Sequence, residues 1–420
     1  MKICGVIAEF NPFHNGHGYL MEQVRNDYDQ VIVVMSGDFV QRGEPAIMSK
    51  RIRTECALIA GADLVLELPV QYSTASAEGF AFGGVALLDS LNVVDNLVFG
   101  AEDTNLSLFE RISELLLQEP KEYTRLLSEG LRKGLSFPAA REQALVKLIE
   151  DQEVSSFLRA PNNILGIEYI KALKYFNSSI IPSPITRIGD GYNETSVSSE
   201  YPSASAIRRL IYCNSREGSA PDPKLFDGLI PSKLKSLLFR DPVSWPVEAD
   251  DFSVLLHDRI MFSDYSDLMA YAEIDEDLAR RICNNRNEFT SVSAFTDLLK
   301  NKAYTRNRIS RCLIHILTGI TKDYIFRLDS PKESRDKALN ALKTPRVLGF
   351  RKSAVPLFAE IKRRSAVKLI TGRGDYDSLT EQEKASLDLS LNASSVYKNI
   401  SSKKYHIPFV HDFSEPTIIM

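Results

Sequence analysis

The chain has 420 residues, 44% of them apolar and 25% charged, with a formal net charge of −4 and a pI near 6.0. That length can bury the cores of two or three domains, the composition is that of a soluble globular protein, and the acidic balance excludes a globally basic nucleic-acid binder while leaving room for a local basic face. No apolar run is long enough to span a bilayer and no cleavable leader precedes the first strand, so a cytoplasmic protein without membrane contact is expected.

Ile3 to Ala8 is a short apolar run of the kind buried on both faces of a sheet. Asn11 and Pro12 follow as turn and helix-start residues, then His14 and His17 around Gly16. Histidines three apart on a helix share a face, Gly16 lets a ligand approach the backbone, and the amides of a helix start suit a polyphosphate. An isolated HxxH also suits a capped, partly exposed first turn.

Gln30 to Met35 reads as a second buried strand, which gives βαβ grammar. A polar loop then leads to a helix from about Ser49, whose Lys50, Arg51 and Arg53 oppose the helix dipole and so point to an anion as much as to a solvated face. Ala62 to Leu68 is a third strand and Asn96 to Gly100 a fourth, with a small-residue helix from about Ala75 to Ser90 between them. Gly100 stands at a carboxyl end, where open α/β sheets contact ligands. Leucine spacing predicts helices from Ser107 to Glu150.

Pro161, Asn162 and Asn163 form a turn and cap before a helix over Ile164–Leu173, and either amide is also able to hold a nucleotide edge. A late strand carries Arg187 and Ile188 into a glycine turn over Gly189–Asn193. Ser203 and Ser205 precede a helix with Arg208 and Arg209, a second anion cradle.

Prolines between Pro221 and Pro246 mark a boundary, placing one domain at residues 1–221 and a mainly helical one at 222–420. Helices are predicted over Ser253–Ala272, Glu276–Asn284, Ser293–Leu299 and Arg306–Thr318, and the tail after Ile400 reads as loosely tied. Two basic clusters, Arg306, Arg308 and Arg311 near Tyr304, and Arg351, Lys352, Lys362, Arg363, Arg364 and Lys368 near Phe350, suit either solvated helical faces or a phosphate backbone. The five cysteines, Cys4, Cys56, Cys213, Cys283 and Cys312, are scattered without a CxxC pair. Neither a disulfide framework nor a zinc site is expected from them.

HxGH after an N-terminal buried strand resembles the signature of the HIGH-type nucleotidyltransferases, and SASAIRR is similar to their late serine-rich motif. MKICGVIAEFNPFHNGHGYL, MSGDFVQRGEPAIMSKRIRTECAL, DLVLELP, FGAED, PNNILGIEYIKAL and ASAIRR together resemble one branch, the bacterial tRNA(Met) cytidine acetate ligases, over residues 1 to about 211 and more loosely beyond. The resemblance implies a Rossmann-like parallel-sheet α/β domain followed by a helical domain, with elongator tRNA(Met), acetate and ATP as substrates. Acetyl-adenylate would form first, and the acetyl group would pass to N4 of the wobble cytidine.

It also implies an ATP site over Ile7, Ala8, Glu9, Phe10, Asn11, Pro12 and Phe13, then His14, Asn15, Gly16, His17, Gly18, Tyr19 and Leu20, with Gly100, Asn162 or Asn163, Arg187 and Ile188. His14 and His17 would be catalytic, and Lys50, Ser205 and Arg208 are further phosphate candidates. Acetate is already ionised, so its attack on the α-phosphorus needs positioning and charge neutralisation but no base. Mg2+ is expected with ATP, yet no conspicuous acidic motif for it appears, and Asp38 and Glu102 are no more than candidates. No residue stands out as base for acetyl transfer. A nucleotidyltransferase of cofactor synthesis, or a non-catalytic ATP-binding RNA adaptor, are the alternatives.

Overall fold

The computed structural model describes residues 1–151, 153–188, 201–214, 219–240, 242–325 and 332–420. The predicted strands form as β1 (Ile3–Ala8), β2 (Gln30–Ser36), β5 (Leu64–Leu68), β6 (Asn96–Ala101) and β7 (Ile181–Thr186). Unforeseen are a small hairpin, β3 (Phe39–Val40) with β4 (Glu44–Pro45), and two late strands, β8 (Val347–Phe350) and β9 (Ile418–Ile419). The main sheet runs β7-β6-β1-β2-β5-β8-β9, parallel except where β5 meets β8.

Successive side chains of a strand point to opposite faces, and both faces are covered. Ile3, Ile7, Ile32, Val34, Leu64 and Leu66 pack with the Ala77–Ser90 and Pro161–Phe176 helices. Cys4, Val6, Val31, Val33 and Val65 pack with α1 (Asn15–Asp27) and α2 (Lys50–Ala60), joined by Leu234, Leu238 and the single tryptophan, Trp245, from the second half. A third core, including Phe252, Leu256, Ile282, Phe295, Leu313 and Tyr397, is built mainly by the helical half, with Phe39 and Val70 added from the first half.

The helical half follows its predicted period with two differences. Ser253–Ala272 divides into Ser253–Phe262 and Tyr265–Ala270, because the Asp264 side chain accepts from the Asp267 amide and starts a new helix. The tail is anchored. A 25-residue helix, Glu381–Tyr405, lies against the first half, where Tyr397 donates to the Ala46 carbonyl at 2.8 Å and Ser390 accepts from the Val70 amide at 3.0 Å. Beyond it Asp412 is buried among Lys50, Arg346 and Lys398, and β9 pairs with β8. Among the described residues no helix is long and apolar enough to cross a membrane.

Candidate functional site

β1 is the point at which the strand order reverses: β2 and β5 lie on one side of it, β6 and β7 on the other. A crevice opens there beyond the carboxyl ends of the strands. It holds a cavity of about 490 Å³, a size suited to a nucleotide, lined by residues of β1, α1, β6, β7 and the hairpin.

His14 is the cap of α1, which starts at Asn15, three residues later than Pro12 suggests. Its Nδ1 accepts from the Gly16 amide at 3.0 Å, and His17 Nδ1 accepts from the His14 amide at 3.3 Å. Both Nδ1 atoms are therefore acceptors, which places the proton of each neutral ring on Nε2 as a donor. The rings lie 3.8 Å apart, and Phe10 and Phe13 pack around His17 at 5.0 and 5.5 Å. Burial, then His17, Arg187 and Arg208, hold the His14 pKa well below its usual value. Burial and then Arg187 hold His17 down at about 3. Two neutral, buried imidazoles thus present N–H groups to the cavity, suited to a developing phosphate charge.

Of the Ile7–Leu20 stretch, Ile7, Ala8, Glu9, Phe10, Asn11, His14, Gly16, His17, Tyr19 and Leu20 line the cavity. The other four shape the turn. Phe13 sits in the core beneath α1, and the Asn15 side chain turns away to donate to the Gly228 carbonyl at 2.8 Å. Gly18 faces Pro231, which a Cβ would meet at 3.1 Å, and Pro12 lies outside the wall. On the β6 side, Gly100, Asn162, Arg187 and Ile188 line the cavity. A Cβ on Gly100 would meet Arg187 Cγ at 3.1 Å, so the glycine gives that side chain room to cross the strand end. Arg187 donates to Asn162 Oδ1 at 3.3 Å; burial lowers its pKa and Glu102 opposes that.

The two asparagines divide their work, and both lie inside the helix, which begins at Pro161 rather than Ile164. Asn163 is buried, its Oδ1 accepting from the Glu102 and Asp103 amides and its Nδ2 donating to the Phe157 carbonyl. Asn162 faces the cavity. The Gly189–Asn193 turn lies outside the described residues.

Lys50 is corrected. Its ammonium lies 2.7 Å from Glu67 and 2.6 Å from Asp412, beside a separate cavity of about 160 Å³, and so is already neutralised. Arg53 is likewise fully buried, donating to the carbonyls of Met48, Glu9, Ser36 and Gly37, so the cations at this helix start fasten strand ends instead of holding an external anion. In the second cradle Ser203 lines the wall and caps its helix by accepting from Ala206 N at 3.1 Å. Arg208 donates to the Asn11 carbonyl at 2.7 Å and to Ser205 Oγ at 3.4 Å, so Ser205 orients the arginine from outside the wall.

Neither magnesium candidate fits. Asp38 accepts from the Lys50 amide and from Ser394 Oγ, Glu102 is taken up by Asn162 and Asn163, and neither lines the cavity. No group of three or more His, Cys, Asp or Glu side chains among the described residues is placed to hold a metal.

The basic clusters separate. Arg306, Arg308 and Arg311 stand on the helix whose Asn307 reaches the cavity wall; they pair with Asp297, Asp275 and Glu273, and Arg308 also lies 4.9 Å over the Tyr304 ring. Arg351 follows β8, whose end pairs with the start of β5, so it sits at the opposite end of the sheet from the crevice and donates to the Leu58 carbonyl. Arg363 and Arg364 pair with Glu360 on their own helix, with Lys362 beside them. Unforeseen wall residues are Gln41 and Arg42 of the hairpin, Phe80, Tyr169 and Asn307. The tight QRG turn was the readable signal for the first two; Asn307 was hidden between arginines.

A family model described as HIGH Nucleotidyl Transferase matches residues 1–408. The chain is 40% identical over 380 residues to a tRNA(Met) cytidine acetate ligase of Thermoanaerobacter sp. (strain X514), covering 90% of each chain. It is 38% identical to that of Caldanaerobacter subterraneus subsp. tengcongensis, with both chains covered in full. Thermotoga maritima TmcAL bound with alpha-thio ATP superposes with a TM-score of 0.87 at 28% identity, again over 100% of both chains.

Proposed function

Because the chain belongs to the HIGH nucleotidyl transferase family and, within it, to the tRNA(Met) cytidine acetate ligases, we propose that the crevice beside β1 holds ATP and carries out both steps of the ligation. The enzyme is an ATP-dependent ligase that joins acetate to a cytidine of tRNA(Met). In our reading acetate attacks the α-phosphorus, giving acetyl-adenylate and pyrophosphate, and N4 of the wobble cytidine of the elongator tRNA then takes the acetyl group.

The observation that carries the assignment is the pair of Nδ1-capped histidines. With Nδ1 of each ring occupied by a backbone amide, Nε2–H of His14 and His17 is the donor left for the phosphates, and the amides of the α1 start and the Arg187 and Arg208 guanidiniums add to the positive field. Ile7, Ala8, Gly16, Tyr19, Leu20, Gly100, Asn162 and Ile188 enclose the rest of the nucleotide. Magnesium would arrive on the ATP phosphates, since Asp38 and Glu102 are committed elsewhere. The helix bearing Arg306, Arg308 and Arg311 is the RNA-facing side, because it is the basic helix of the second half whose Asn307 borders the cavity; Arg351 lies at the opposite end of the sheet. A tRNA substrate puts this work in the cytoplasm. Neither the cofactor-synthesis reading nor the adaptor reading is favoured, given ligase relatives matched over nearly the whole chain.

The test is acetate-dependent pyrophosphate release from ATP, followed by nucleoside mass analysis of bulk tRNA. Wild type should release pyrophosphate only with acetate and leave N4-acetylcytidine. His17→Ala should lower release by about 100-fold or more; unchanged release would remove the histidine from the chemistry.

A further inference from the structure

Acetyl transfer needs a group that adenylation does not. The N4 amine of cytidine is conjugated with its ring, and it becomes an amide nitrogen only by giving up a proton as the new N–C bond forms. Among the described residues that line the cavity, Glu9 is the one with a carboxyl group.

Glu9 lies just past β1, half-buried, in the cavity wall. Its Oε1 accepts from the Gln41 amide at 2.8 Å, and Oε2 accepts no hydrogen bond from the described residues. Its backbone carbonyl is held by Arg53 Nη1 at 2.7 Å. The next residue, Phe10, is fixed at φ 50°, a strained setting for a bulky side chain of the kind that collects at reaction centres. Glu9 is thus fastened along its backbone and at one oxygen, with the other oxygen left to the cavity.

Glu9 shares the cavity wall with Gly100, Asn162 and Arg187, and Tyr169 of the helix that carries Asn162 is within electrostatic reach of its carboxyl. Through Gln41 it is tied to the hairpin on the β2 side, and the hairpin is seated on the helix that bears Asn307. Asn307 therefore brings the helical half to the cavity wall on the side where the hairpin lies.

We propose that Glu9 is the general base of acetyl transfer, taking the proton from cytidine N4 as that nitrogen attacks the acetyl carbonyl. The N–C bond forms, the bond from the acetyl carbon to the AMP oxygen breaks with its electron pair going to AMP, and the proton resides on Glu9 until it passes to water. The charged and titratable groups around the carboxyl are Arg208, Arg42 and Arg53, which favour its ionised form, and Tyr169. Burial outweighs the arginines and leaves the pKa above the ordinary glutamate value, closer to the operating pH, as a base requires.

The proposal rests on the acetate ligase reading, and its test separates the two. ATP–pyrophosphate exchange with acetate and no tRNA reports adenylation; single-turnover formation of N4-acetylcytidine on tRNA(Met) reports transfer. Glu9→Gln keeps the Oε1 acceptor for Gln41. It should slow transfer at least about 100-fold more than exchange and abolish the acidic limb of the transfer pH profile. Parallel loss of both steps, unchanged transfer, or a shifted Mg2+ requirement for exchange would overturn the assignment. If Glu9→Gln does not fold, Glu9→Asp decides: a shortened carboxylate should slow transfer more than exchange and keep the acidic limb, whereas equal slowing overturns the proposal. Wild type that exchanges pyrophosphate with acetate yet forms no N4-acetylcytidine would refute the ligase reading itself.

Discussion

Two imidazoles kept neutral by burial make the α1 start sensitive to acid in a direction that can be worked out. With a folded pKa near 3 for His17 and well below 6.5 for His14, the unfolded chain binds more protons than the folded one below about pH 6.5, so stability falls as pH falls through that window. Each histidine costs about 1.4 kcal/mol per pH unit there. Thermal melts of nucleotide-free protein at pH 7 and pH 5 should show the loss, and His17→Asn should reduce the difference. Identical pH slopes would mean that His17 is protonated in the fold. The chemistry of these residues was legible from HNGH after an apolar strand, but their tautomers were not, because those depend on which backbone amide each Nδ1 meets. Asn162 and Asn163 were indistinguishable for the same reason: their roles are set by partners about 60 positions away at Glu102.

Among the elements, the buried strands and long amphipathic helices were readable because burial on both faces, or on one stripe, writes a continuous or 3.6-residue pattern. The hairpin and β9 have strands of two residues each, too short for any period, and β8 has only four. Yet the hairpin matters most at the cavity. Gly43 at its tip has φ +72°, and a Cβ there would fall 2.2 Å from the Arg311 amide nitrogen, so the turn rests directly on the backbone of the Arg306–Thr318 helix. Gly43→Ala therefore combines backbone strain with a clash that no side-chain rotation relieves, and should cost about 2–4 kcal/mol. Urea denaturation measures it; an unchanged midpoint would show that the hairpin can lift from the helix.

At the scale of the whole molecule, the two halves of the sequence are joined through charge as well as through the sheet. Burial pushes the Asp412 carboxyl up, but Lys50, Arg346 and Lys398 together hold it far below the usual carboxylate range. Asp412→Asn would leave three largely buried cations short of a counter-charge and should destabilise the protein by about 3–5 kcal/mol, read as a lowered denaturation midpoint. A loss under 1 kcal/mol would mean that Glu67 and Glu415 suffice. Lys50 at a helix start suggested an external anion because its two counter-charges stand 17 positions away on β5 and more than 350 positions later at Asp412, beyond the reach of any local pattern.

The pairing of β5 with β8 also sets a schedule for synthesis. The ribosome must add roughly 280 residues after Leu66 before Val347 exists to cover that strand, which at about 5–20 residues per second takes on the order of tens of seconds. Through that interval the growing chain carries LVLEL as an unpaired, apolar strand edge, the kind of template that invites pairing with another chain. Slower growth at lower temperature would prolong the exposure while weakening the hydrophobic attraction behind it.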